Sequence, residues 1–196
     1  MGLGLTVGLL ADLKQEDPEF CDELIEEFAV INKLLEANGL STHSEPDNIE
    51  VWDADMPGYS GIHYLRRLAA HVDSGQGMPE PGDDDSSDDE ILQAYYEDNG
   101  KFSFQRRFDH LILHSDADGS YVPIDFPKVL ASTKQIEING HYLGSSQQLL
   151  RECDKLAKPL EIPEEFTSES SELFEAAAYQ GQGECLWQRY GTESFC

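Results

Sequence analysis

A chain of 196 residues with 13 basic and 39 acidic side chains, formally −26 at neutral pH, repels nucleic-acid backbones and anionic lipid. Such a field attracts cationic protein surfaces and divalent metals, and it also keeps a protein in solution. Hydrophobic residues at 39% suffice for one core, while the scattered Cys21, Cys153, Cys185 and Cys196, with no C-x-x-C spacing, exclude a cysteine zinc site and fit a reducing cytoplasm.

Leu3 to Leu10 is apolar and punctuated by glycine, the pattern of a first strand. It is too short to span a bilayer, and no charged n-region of a signal peptide precedes it. Gly2, Gly4 and Gly8 lack the G-x-G-x-x-G spacing of a dinucleotide site. The first residues match the myristoylation pattern with Gly2 as acceptor, a pattern short enough for chance to supply.

Asp17-Pro18 marks a helix start: the aspartate can cap free amides and the proline is already set near helical φ. Phe20, Leu24, Phe28, Ile31 and Leu35 follow at helical spacing, and Asn38-Gly39 supplies the stop. Asp22, Glu23, Glu26 and Glu27 read as a solvated face near the positive end of the helix dipole. Ile49 to Trp52 reads as a strand, with a turn at Asp53, Asp55, Pro57 and Gly58. Ser60 then opens a helix with Ile62, Leu65, Ala69 and Val72 inward; His63, Arg66 and Arg67 face solvent, the arginines pairing with local acids.

Residues 73–90 carry eight acids and no basic side chain, and are expected to form a flexible acidic loop. Ile91 to Tyr96 is a short helix. Asp109 to Phe126, DHLILHSDADGSYVPIDF, reads as the central hairpin, two strands joined by an Asp/Gly turn with His110, Ile112 and His114 on one face. Lys134 to Tyr142 suggests a second strand pair turning at Asn139-Gly140. Ser145 and Gln148 have capping-box spacing, and Leu149, Cys153, Leu156 and Leu160 continue as one helical face. A last helix from about Ser170 and a strand over Cys185 to Tyr190 complete the chain.

The residues with chemistry to offer are His110, His114, Asp116 and Asp118, imidazole and carboxylate in a combination that suits zinc, manganese or iron. Turn chemistry explains the same aspartates without a metal. A calcium loop fits poorly: His114 stands where the first carboxylate belongs, and Pro123 lies within the frame. No G-x-S-x-G elbow or local cysteine signature marks a nucleophile, and Asp53 with Asp55 read as turn residues.

HSDADGSYVPIDF, LGSSQQLLREC and the closing run to Phe195-Cys196 resemble a loose group of small uncharacterised bacterial proteins. The resemblance implies a bacterial cytoplasmic α+β domain and carries no activity and no site residue.

The expected architecture is one α+β domain over 1–196, a mainly antiparallel sheet with three or four helices on one face and the acidic insertion at 73–90. The preferred function is a non-enzymatic acidic module that docks or neutralises a basic protein, of which an immunity protein against a cationic toxin is one version. It needs no cofactor, no nucleic acid and no membrane. The alternative is a divalent-metal hydrolase in which His110, His114, Asp116 and Asp118 hold a metal-bound water. A third reading takes every motif as structural and places the binding surface elsewhere.

Overall fold

The computed structural model describes residues 3–46, 48–56, 60–77, 79, 88–98, 100–115 and 119–159. The expected helix from Ser170 and strand over Cys185 to Tyr190 lie outside them, as do Asp116, Asp118 and most of the acidic segment.

The first strand, β1 (Leu3–Val7), ends sooner than its apolar run, because Gly8 at φ 84 turns the chain into α1 (Leu9–Glu16). A Cβ at Gly8 would sit 2.9 Å from the Ile49 side chain, so the turn needs glycine for its φ and for its space. Helix α2 (Pro18–Ala37) starts as read: Asp17 accepts the Phe20 amide at 3.1 Å and Pro18 takes the first position. Its inward stripe of Cys21, Leu24, Phe28, Ile31, Leu34 and Leu35 is buried. Each large apolar side chain buried this way contributes about 1.5–3 kcal/mol.

Strand β2 (Trp52–Met56) pairs antiparallel with β1, Leu5 opposite Ala54. Asp53 and Asp55, expected in a turn, therefore lie within a strand. Helix α3 (Ser60–Ser74) follows, and then α4 (Glu90–Glu97), capped by Asp89, whose carboxylate accepts the Ile91 and Leu92 amides. The ends of the acidic segment are thus built into helices: Asp73 belongs to α3 and is buried, and Glu90 opens α4.

The central hairpin expected over Asp109 to Phe126 is not formed. Asp109–Ile112 is a short helix, α5, and the strand β3 (Ser120–Val122) pairs in parallel with β5 (Tyr142–Ser145). The second hairpin is also displaced outward from its expected place: β4 (Leu130–Ala131) pairs antiparallel with β5, and residues 132–141 connect them. In place of one mainly antiparallel sheet, the described residues form an antiparallel ribbon and a mixed sheet of order β3-β5-β4. The class remains α+β. The capping spacing after β5 is realised: Ser145 Oγ accepts the Gln148 amide at 3.2 Å and α6 (Ser146–Ala157) follows.

Alternation along β3 joins two cores. Val122 packs with α1, α2, Phe126 and Leu143, while Tyr121 packs with Ala69, Leu92, Tyr95, Leu111, Leu149 and Leu156. Helix α5 sits against the second of these through Leu111 and Ile112, where α3, α4 and α6 meet it.

Candidate charged interface

The polar groups around α5 are enclosed rather than presented. Glu152 on α6 is 4% exposed, and its two carboxylate oxygens accept the amides of His110 at 3.2 Å and Leu111 at 2.9 Å. Those amides belong to the first turn of α5, where no intrahelical acceptor exists. Burial pushes the Glu152 carboxyl up to about 8, against the two amide bonds that favour its charge.

The two histidines are committed to the same framework. His110 Nδ1 accepts the Ser145 amide at 3.0 Å, which places the ring proton on Nε2, and burial lowers its pKa to about 4. His114 Nε2 donates to the Ser120 carbonyl at 3.0 Å, its ring stacks on Tyr121 with centroids 3.8 Å apart, and burial lowers its pKa to about 3. Both imidazoles are neutral at pH 7 on those values. The Tyr121 hydroxyl donates to the His110 carbonyl at 2.6 Å. Among the described residues no three His, Cys, Asp or Glu side chains gather as a metal site. Asp116 and Asp118 are outside those residues.

Arg66, expected toward solvent, is buried in this framework. Its Nε donates to the Leu111 carbonyl at 3.0 Å and its Nη2 to the His114 carbonyl. The acceptors lie far along the chain, so local periodicity could not reveal them.

The other arginines of the described residues are likewise tied to protein groups. Arg67 pairs with Asp89 at 2.8 Å, beside His71 at 3.0 Å, so its expected pairing with an acid is met. Burial acts to raise the Asp89 carboxyl, but the Leu92 amide, His71 and Arg67 together hold it below the usual range. Arg107 bonds Asp73 at 3.0 Å, and the Arg106 and Arg107 amides bond the same carboxylate at 2.7 and 3.2 Å. Arg106 also reaches Asp109 at 3.2 Å and lies 4.4 Å from the centre of the Tyr95 ring. Arg151 forks onto Asp125 at 2.7 and 2.8 Å.

Carboxylates show the opposite disposition on α2. Asp22, Glu23, Glu26 and Glu36 are exposed, and their carboxylates have no hydrogen-bond or ion-pair partner among the described residues. Among the described residues the guanidinium groups are thus spent on the framework, while these α2 carboxylates face solvent. Total charge is visible in the sequence, but which acids are neutralised is not.

A family model described as "Putative DNA-mimic protein" matches residues 1–196, the whole chain. No curated protein and no solved structure matches.

Proposed function

The chain belongs to the family described as "Putative DNA-mimic protein", and we propose that it is a non-enzymatic acidic protein that seats on the DNA-binding surface of a basic protein in place of DNA. The observation that carries this reading is the segregation of charge: arginines held by Asp73, Asp89, Asp109, Asp125 and backbone carbonyls, while the side chains of Asp22, Glu23, Glu26 and Glu36 on α2 have no partner among the described residues. A surface that binds DNA gains much of its affinity by exchanging counterions for Lys and Arg contacts to phosphate. A protein offering carboxylates in the same density enters the same exchange. It needs no catalytic group, and the buried, neutral His110 and His114 supply framework instead.

No described helix is long and apolar enough to cross a membrane, and the reading places the protein in the cytoplasm with its DNA-binding partner. An immunity role is the case in which that partner is a DNA-cleaving toxin.

The test is displacement. Labelled duplex bound to a core histone octamer, which holds DNA by its backbone without reading bases, is titrated with the full chain at low salt. The duplex is released at low salt, where the octamer alone keeps it, and direct binding of the chain to the octamer weakens as salt rises. Failure to release it at low salt overturns the reading.

A further inference from the structure

The mimic reading leaves open which surface docks and which kind of DNA-binding protein it fits; the following inference rests on that reading. Most described acids outside α2 already have work. Asp73 and Glu152 are buried under backbone amides, Asp89 and Asp109 hold arginines, Glu90 pairs with Lys101, and Asp125 is clasped by Arg151. The solvent side of α2 carries three exposed acids within five residues, Asp22, Glu23 and Glu26, with no such partner among the described residues.

Helical geometry gives that side a definite form. Asp22 and Glu26 are separated by one turn, about 6 Å along the axis. Over the turn Asp22–Glu26, with Glu23 between them, the spacing is on the order of one charge per 2–3 Å, against roughly 1.7 Å for duplex DNA and 3.4 Å for one of its strands; the next exposed acid, Glu36, lies about 15 Å further along the axis. Ile25 is 45% exposed beside these carboxylates, and Ala29 is exposed one turn further. An apolar side chain inside an acidic rim suits a protein surface, which can cover it, better than a bare ion. The opposite face of α2 is locked in the core, so the array is held in place before any partner arrives. Lys33 is the one basic side chain on this helix.

We propose that the outward face of α2 from Asp22 to Glu36, with Ile25 as its apolar anchor, is the docking surface. Its occupant is the phosphate-gripping surface of a basic protein that binds DNA without reading base edges. Carboxylates on a helix reproduce the charge of the backbone but present no groove pattern of base donors and acceptors. A partner that depends on base contacts would find nothing there to read.

The experiment uses the full chain and the core histone octamer as probe, with three variants. D22N/E23Q/E26Q removes three charges from α2. E50Q/E137Q/D154N removes three exposed charges elsewhere. Ile25→Ser removes the anchor alone. Titration of the labelled chain with octamer gives affinity and its salt dependence, carbodiimide labelling with mass spectrometry reports which carboxyls become covered, and circular dichroism checks folding.

The α2 triple variant should bind at least tenfold more weakly, with a flatter salt dependence, while the matched triple stays within about threefold. Ile25→Ser should weaken binding severalfold without changing the slope, and labelling should fall at Asp22, Glu23, Glu26 and Glu36. Equal losses in the two triple variants, or protection elsewhere with α2 still labelled, overturn the α2 assignment and leave the mimic reading standing. No binding by the wild-type chain at low salt overturns the mimic reading and the assignment with it.

Discussion

Glu152 caps α5 from across the second core, its carboxylate accepting the Leu111 amide at 2.9 Å from 41 positions away in sequence. The same carboxylate takes the His110 amide, so one buried side chain satisfies two orphan donors of a four-residue helix. Glu152→Leu should cost about 2–4 kcal/mol by leaving both amides buried and unpaired, and Glu152→Gln less. Urea unfolding at pH 7 measures the difference.

The pH dependence of stability follows from the same site. Glu152 is raised in the folded state to about 8 from a reference of 4.5, so the folded protein holds the proton that the unfolded chain releases. Its contribution is full below about 4.5 and is lost as pH rises through about 8. His110 and His114, lowered to about 4 and about 3 from 6.5, are destabilising as pH falls below 6.5 toward those values. Glu152→Gln should therefore lose less stability than wild type between pH 6.5 and 8, and behave like it near pH 4.

Gly119 lies against the His114 ring and the Ser115 carbonyl so closely that an added Cβ would overlap both. Gly119→Ala is expected to lower stability by about 1–3 kcal/mol through this overlap. The cost should shrink in a His114→Ala background, and a double-mutant cycle by chemical denaturation measures that coupling.

The same formal charge change should have opposite weight at two aspartates. Asp73→Ala strips a buried carboxylate from Arg107 and from two backbone amides, costing about 3 kcal/mol. Asp22→Ala on exposed α2 should stay within about 0.5 kcal/mol. Melting curves of the two variants side by side check it.

A divalent metal held by His110, His114, Asp116 and Asp118 would raise the melting temperature with zinc or manganese, and His114→Ala would abolish the effect. With His110 Nδ1 on the Ser145 amide and His114 Nε2 on the Ser120 carbonyl, no such shift is expected. Thermal melts with and without each metal separate the two.

Helix α2 was readable residue by residue because its cap, its proline and its apolar period are local properties of Asp17 to Leu35. The Ser145 cap was readable for the same reason. Asp109 to Ile112 was not: its alternation suits a strand, and the helix is held by Glu152 and Arg66, both distant in sequence. Arg66 itself looked exposed because its acceptors are carbonyls 45 and 48 positions on. The acidity that points to a basic partner was plain from composition. What composition could not show is that Asp73 and Asp89 are consumed within the fold while Asp22 and Glu26 are not.

The most direct measurement is release of labelled duplex from a core histone octamer by the full chain, at low and at high salt. DNA mimicry predicts release at low salt, where the octamer alone keeps its duplex, and loss of that release in D22N/E23Q/E26Q; at high salt the duplex dissociates with or without the chain. Duplex that stays bound at low salt under excess wild-type protein would contradict it.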